Sequence, residues 1–443
     1  MLSLVPAAST AAGAILLDGD MMHTRKRFIG WTVVGAGVLF ATTLAGQVRL
    51  PLDPPGQGTP NFGSVVERPA GAALKAPAGF TVTEFAAELA APRMMTYAPN
   101  GDLFVSQSGR NVVSILRDTN RDGRADERFV YAQGPTPPQG RRGGGPPPDV
   151  GGDTCVADGQ TGGRLPFGMA FHEGYLYVAY TNCLVRYRYS PGDTAPQGAP
   201  EELARYPAGG HYTRNVAIRP DGQKVYVAVG SQSNNGDGED ERRAAINEYN
   251  LDGSGHRVFA SGIRNPVGLT FRPGTSELWT AVNERDGLGD DLVPDYATSV
   301  QDGGFYGWPY AYIGQNYDPA HEGKMPDLVE RAIVPDVLIQ AHSAALGITF
   351  YTGTQFPQRY RNGAFVALHG SWNRSTTAGV KVIFIPFQSG EPGQVEDFLT
   401  GWVVSPEQNS KWGRPVGVTV APDGALLVSD DAANTVWRVA YSG

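Results

Sequence analysis

The stretch Val418-Thr-Val-Ala-Pro-Asp-Gly-Ala-Leu-Leu-Val428 decides the fold class. Apolar side chains alternate on both sides of Pro422-Asp423-Gly424. The proline presets the first turn dihedral and Asp-Gly supplies positive φ, so the segment reads as a β-hairpin with one face on a core. The phrase recurs at Tyr97-Ala-Pro-Asn-Gly-Asp-Leu-Phe-Val-Ser106, Val216-Ala-Ile-Arg-Pro-Asp-Gly-Gln-Lys-Val-Tyr-Val227 and Leu269-Thr-Phe-Arg-Pro-Gly-Thr-Ser-Glu-Leu-Trp279. Looser copies pair Phe167-Gly-Met-Ala-Phe171 with Tyr175-Leu-Tyr-Val178, and Leu346-Gly-Ile-Thr-Phe350 with Ala364-Phe-Val-Ala-Leu368. Six such units, spaced by roughly 50 to 80 residues, predict an all-β chain: a six-bladed β-propeller of four-stranded antiparallel blades. A β-sandwich with insertions is the competing architecture, but sandwiches lack a recurring turn at the same point of every unit.

Composition agrees. The 443 residues include 58 Gly and 34 Pro, roughly a fifth of the chain, and their helix penalties of about 1 and 3 kcal/mol exclude a helical bundle. With 41% hydrophobic residues there is material for a large core. The 36 basic and 44 acidic residues leave a net charge of -8 with no basic-aromatic cluster, which makes nucleic acid a poor partner.

Arg25, Lys26 and Arg27 precede an uncharged run over residues 28–46 that ends in Thr43-Leu44-Ala45. This pattern predicts residues 1–47 to be either a cleaved export signal or an uncleaved membrane anchor, and hence a periplasmic or secreted protein. Residues 1–20 read as an upstream extension of the reading frame, because Asp18 and Asp20 stand ahead of the basic triplet. A proline-rich linker is expected over 48–75, and the propeller over 76–443. Within it, residues 133–163 contain 16 Gly or Pro in 31 positions and read as a long surface loop. Cys155 and Cys183 either pair or stay free.

Polar phrases at the ends of the expected strands are where such loops bind ligands. Ser261-Gly-Ile-Arg264-Asn265-Pro266-Val-Gly268 offers a guanidinium and an amide beside a rigid proline. Five carboxylates lie within residues 284–295, among glycines, and read either as a hard-cation site or as a solvated acidic loop. Asp118-Thr-Asn120-Arg-Asp122-Gly123-Arg-Ala-Asp126 spaces oxygen ligands as a calcium loop does, though Phe129 stands where its bidentate Glu belongs; an Asp-Gly turn is the other reading.

His211, Pro220-Asp-Gly, Gly230-Ser-Gln, Leu251-Asp-Gly, Arg264-Asn-Pro-x-Gly, Asn283-Glu and Gly304-x-Tyr-Gly-Trp-Pro309 follow in an order that resembles the soluble quinoprotein glucose dehydrogenase and sorbosone dehydrogenase family. The resemblance covers roughly residues 76–440. It implies a propeller that binds pyrroloquinoline quinone (PQQ) and Ca²⁺ and oxidises the C1 hydroxyl of an aldose or a sorbosone-like aldehyde hydrate, passing electrons to a separate acceptor. By resemblance His211 is the general base, which suits an imidazole titrating near neutrality. Arg264 would lie by the quinone carbonyl and stabilise developing negative charge, with Asn265 on the quinone oxygens. Arg374 and Arg414 would hold the cofactor carboxylates with forked donors. Trp372 and His342 would wall the pocket, and Gln160 would reach it from the second blade. The catalytic Ca²⁺ would take main-chain carbonyls around Arg285, Asp286 and Gly287; Asp290, Asp291 and the Tyr306 carbonyl would form a neighbouring Ca²⁺ site.

One departure bears on substrate. Where glucose-oxidising members carry an Asp that orients the base, this chain reads Gly230-Ser231-Gln232. Asn234, Asn235 or a more distant acid would then orient His211, or the chain belongs to the sorbosone-like branch. The competing functions are a metal-dependent propeller lactonase, which needs carboxylates from several blades, and a non-catalytic binding propeller.

Overall fold

The computed structural model describes residues 59–136 and 154–443. Two compact units divide at residue 50, and all described residues belong to the second. The expected export segment and residues 137–153 of the glycine-rich loop lie outside the described residues.

The described residues are almost entirely β. They form six four-stranded antiparallel sheets and three smaller ones, with one four-residue helix, Pro326–Val329. The first strands of the six sheets are Pro92–Tyr97, Pro166–His172, Arg214–Ile218, Pro266–Phe271, Ala345–Phe350 and Pro415–Val420. Each of the six expected hairpins is present as the antiparallel pair of a sheet's first and second strands. Second strands such as Leu103–Gln107, Leu278–Val282, Ala364–Leu368 and Leu426–Asp430 are buried along their whole length. A strand covered on both faces needs apolar residues on both, which is why Ala364-Phe-Val-Ala-Leu368 is a continuous run.

Successive sheets share hydrophobic clusters. Tyr226 and Ile246 of the third sheet meet Leu269 and Tyr296 of the fourth, and Leu427 and Val436 of the sixth meet Leu103 and Val105 of the first. First strands neighbour one another in the same cyclic order. Their approach requires glycine: a Cβ on Gly347 would lie 2.6 Å from the Val416 carbonyl oxygen, and one on Gly417 only 2.4 Å from that of Arg93. Backbone thus packs on backbone around the centre.

The sixth sheet joins the two ends of this unit. Phe80–Ala86 pairs antiparallel with the last strand, Thr435–Tyr441. Part of the segment expected as linker is also structured, because Ser64–Val65 pairs parallel with Ser410–Lys411 and Lys75 bridges Thr400.

Cys155 and Cys183 form a disulfide that ties the end of the glycine-rich loop to the third strand of the second sheet. The bridge spans 28 residues, a loop whose closure is worth about 3 kcal/mol. The double variant Cys155→Ala/Cys183→Ala is expected to lose about that much stability, read as a lower urea midpoint with an equal or steeper slope; an unchanged midpoint would count against it.

Candidate active site

In an antiparallel hairpin the start of the first strand and the end of the second lie at the same edge. Residues just before the first strands and just after the second strands therefore collect at one end of the six sheets. His211, Arg264, Asn265, His342 and Arg414 come from the former group; Ser231, residues 283–291, His369 and Asp431 come from the latter. The backbone ties these edges together, with Ser231 N donating to the Arg264 carbonyl (2.8 Å), Asn283 N to that of Asn265 (3.1 Å) and Asp431 N to that of Arg414 (3.2 Å).

His211 is held through Nδ1, which lies 3.0 Å from the Ser231 carbonyl oxygen and 2.9 Å from Ser231 Oγ. Neither Asn234 nor Asn235 orients it. Burial, and next the charge of Arg264, push the His211 pKa down to about 3. Gly230 separates His211 from Asn265: a Cβ there would sit 2.6 Å from His211 Cβ and 2.4 Å from Asn265 Oδ1. That buried Oδ1 has no hydrogen-bond partner among the described residues.

Arg264 is buried and largely committed to the protein. Its Nε and Nη2 donate to the carbonyl and side-chain oxygens of Asn234, each at 2.9 Å, and its Nη1 to the carbonyls of Glu284 (2.7 Å) and Asn283 (3.3 Å). Asp286 Oδ2 lies 3.8 Å from Nη2. Arg264 thereby clamps two loops and places its positive charge near His211. Asn234 is the hub of this clamp, for it also donates to the Asp286 carbonyl and accepts from Asp286 N and Trp308 Nε1.

A second polar group comes from the sixth, first and fifth sheets. Asp431 accepts from Arg93 Nη1 at 2.6 Å and pairs with His369 Nε2 at 2.9 Å. Arg414 Nε donates to the His369 carbonyl (3.0 Å). Burial, followed by Arg414, lowers the His369 pKa to about 4; burial alone would raise that of Asp431, yet His369 and Arg93 hold it well below the carboxylate range. Arg93 Nε, like Ser343 Oγ and Arg374 Nε, is buried without a hydrogen-bond partner. Sequence reading missed Arg93, His369 and Asp431. Arg93 carries no motif of its own, and its partner lies 338 residues away.

The acidic loop is assembled differently from a two-calcium site. Asp290 accepts from Ser375 N (3.0 Å), and Arg374 Nη1 binds the Asp290 carbonyl and, at 2.9 Å, Asp291 Oδ1. Tyr306 donates its N–H to the Ser261 carbonyl and its hydroxyl to the Ser299 carbonyl at 2.6 Å, while its own carbonyl, the expected ligand, accepts no hydrogen bond among the described residues. The Arg374 guanidinium thus lies against Asp290 and Asp291 of this loop. Arg374 clamps this loop through Nη1, while its Nε stays without a partner among the described residues. Asp286 pairs with His342 Nδ1 at 3.1 Å, while His342 Nε2 faces the Gly289 carbonyl at 2.8 Å. Two acceptors on one ring make His342 a loop clamp as well. Arg285 Nη1 reaches Asp318 (2.5 Å) and Gly287 N donates to Asn373 Oδ1 (2.9 Å). Among the expected main-chain ligands, the Asp286 carbonyl already accepts from Asn234 and Arg285. The carbonyls of Arg285 and Gly287 accept no hydrogen bond among the described residues.

The other calcium loop is likewise closed by its own amides. Asp118 accepts from Asp122 N and Gly123 N, Asn120 Oδ1 from Asp122 N, Asp122 from Arg124 N and Asp126 from Thr119 N. These contacts shape an Asp-Gly turn. Among the described residues no three His, Cys, Asp or Glu side chains come together to hold a metal. The unfolding midpoint of protein free of PQQ is therefore expected to be the same in EGTA and in excess Ca²⁺; a rise of several degrees with Ca²⁺ would restore a structural cation site.

Two further expectations change. Gln160, with its amide nitrogen turned inward, donates to the carbonyls of Gln133 (3.1 Å) and Gly134 (3.0 Å), so it fastens the base of its own loop. Trp372 is 45% exposed and stacks on Phe62 at 5.5 Å, a rim position.

The model of the TrAA12-like family matches residues 151–302 and 311–442. An uncharacterized protein of Borreliella burgdorferi is 33% identical over 235 residues, covering 52% of this chain and 61% of that protein. The aldose sugar dehydrogenase of Escherichia coli is 32% identical over 110 residues, 24% of this chain and 27% of that enzyme. The chain thus spans less than two thirds of either relative. In fold it is similar to the holo form of the PQQ domain of Coprinopsis cinerea pyranose dehydrogenase, with a TM-score of 0.65 at 20% identity over 84% of this chain and 97% of that one. With its matches running through the sheets that carry His211, Arg264 and Arg414, the chain belongs to the TrAA12-like family.

Proposed function

We propose that this chain is a PQQ-dependent sugar dehydrogenase, built as a six-bladed β-propeller with one four-stranded sheet per blade, that oxidises the C1 hydroxyl of an aldose or the hydrate of a sorbosone-like aldehyde. The observation that carries the reading is the half-buried imidazole of His211 at the sheet ends, its Nδ1 held by Ser231, with Asn265 across Gly230 presenting a buried Oδ1 that has no partner among the described residues. The orphaned Nε of Arg93 and Oδ1 of Asn265 fit a planar, carboxylate-bearing ligand that supplies both acceptors and donors. PQQ, when bound, supplies the two-electron acceptor for the C1 hydride. Arg93 and Arg414 would hold its carboxylates, Asn265 its quinone edge, and the free carbonyls of Arg285 and Gly287 an accompanying Ca²⁺.

The chain's own chemistry is proton transfer. His211 takes the C1 hydroxyl proton as the hydride departs, so that C1 loses one hydride and its oxygen one proton, giving the lactone or acid. Burial, and next the charge of Arg264, keep the free imidazole unprotonated, with its lone pair available to a proton. The protein would act after export, through the segment over residues 21–47, and hand its electrons to a separate acceptor. Reconstitution with PQQ and Ca²⁺ tests the reading: aldoses or sorbosone should bleach a redox dye only in the presence of PQQ. Hydrolysis of a lactone without PQQ would favour the lactonase, and failure to bind PQQ would overturn the proposal.

A further inference from the structure

We infer that Ser231 is the positioning residue that fixes the tautomer of His211, with a neutral hydroxyl and carbonyl in the position of an orienting carboxylate. The inference rests on the reading of His211 as the base. Ser231 is fully buried, and its Oγ lies 2.6 Å from the Ser233 carbonyl oxygen. A carbonyl only accepts, so the serine proton points there and Oγ turns a lone pair to His211 Nδ1 at 2.9 Å. The Ser231 carbonyl, the other neighbour of Nδ1 at 3.0 Å, is also an acceptor. Nδ1 therefore carries the proton, and Nε2 presents the basic lone pair.

The serine is itself held from both sides. Its N–H donates to the Arg264 carbonyl at 2.8 Å, and its carbonyl accepts from His211 N at 2.9 Å. Glu239 grips the following turn through Gln232 N (2.5 Å), Ser233 N (2.8 Å) and Ser233 Oγ (2.7 Å). Arginines surround the imidazole: Arg264 opposes its protonation, Arg214 Nη1 donates to the His211 carbonyl at 2.6 Å, and Arg243 Nη1 donates to the Gly230 carbonyl at 3.1 Å. Those three guanidiniums are the charged groups that act on it most strongly. With no carboxylate to stabilise the imidazolium, the ring releases an accepted proton readily, and its orientation depends on hydrogen bonds to neutral groups alone.

The test pairs ¹⁵N spectroscopy of histidine-labelled protein with kinetics of the PQQ-loaded enzyme, the His211 signals being assigned with His211→Gln. The expected spectrum at neutral pH has a protonated Nδ1 and an unprotonated Nε2. Ser231→Ala, which removes one of the two acceptors, should populate the other tautomer and lower kcat about tenfold with KM changed less than roughly twofold, the loss of one net hydrogen bond. Ser231→Thr, which keeps the hydroxyl, should restore both readouts. A protonated Nε2 in the wild type would overturn the inference, and because it needs no variant this arm holds if Ser231→Ala fails to fold. Unchanged kcat and tautomer in a folded Ser231→Ala would also overturn it. Full PQQ-dependent activity in His211→Gln would instead remove the base reading while leaving the tautomer measurement intact.

Discussion

Replacing His211 by Gln is expected to lower kcat by roughly two to four orders of magnitude while PQQ binding and the unfolding midpoint stay near wild type. On the proposed reading the imidazole accepts the C1 proton, and glutamine can occupy its space without accepting a proton at any accessible pH. The pH profile sharpens the same expectation. A general base works when unprotonated, so activity falls only as pH drops through its pKa, which burial and Arg264 hold at about 3 rather than at the ordinary 6.5. The kcat/KM profile should therefore show no histidine limb near pH 6.5. Such a limb, lost in His211→Gln, would contradict the burial and positive charge described above. Stability moves with the opposite preference. Below about pH 6.5 the unfolded chain binds a proton that folded His211 refuses, so this group makes the protein progressively less stable as pH falls toward 3.

Removal of residues 59–86 is expected to leave no cooperatively folded protein. Phe80–Ala86 is the fourth strand of the sixth sheet, registered from Phe80 opposite Tyr441 to Ala86 opposite Val436. Without it Thr435–Tyr441 becomes an open edge, a template for aggregation. The strand also delivers Phe80 into an aromatic cluster, with ring centroids 4.7 Å from Phe356, 5.4 Å from Tyr360, 5.2 Å from Phe398 and 5.0 Å from Tyr441. The milder Phe80→Ala should cost about 3 kcal/mol, read in urea unfolding. A truncated protein that unfolds cooperatively at the wild-type midpoint would show that ring closure contributes little.

How far the site could be read from sequence depended on where each partner sits in the chain. His211, Arg264, Asn265 and Arg414 stand directly before first strands, and such positions are visible as soon as the hairpins are. Ser231 was visible only as a missing acid. Its contact with His211 crosses 20 residues and exists because the end of a second strand returns to the start of the first. Arg93 and Asp431 meet across 338 residues, a distance bridged only when the sixth sheet packs on the first. The oxygen-rich loops depend on contacts of another kind. Spacing shows that carboxylates converge, but backbone amides at 118–126 and Arg374 at 290–291 satisfy them as a cation would. Gln160 likewise had a motif position, yet its amide serves the carbonyls of its own loop.

By itself the sequence determined the hairpins, because alternation and Pro-Asp-Gly turns act over a dozen residues, and it marked the glycines over which neighbouring first strands could approach. Only the tertiary structure decided which acceptor faces His211, which cations share Asp431 and which carboxylates are already neutralised. Those pairings are made between strand ends of the same and neighbouring sheets, and hydrogen-bond geometry there is set by packing across the ring rather than by any local pattern.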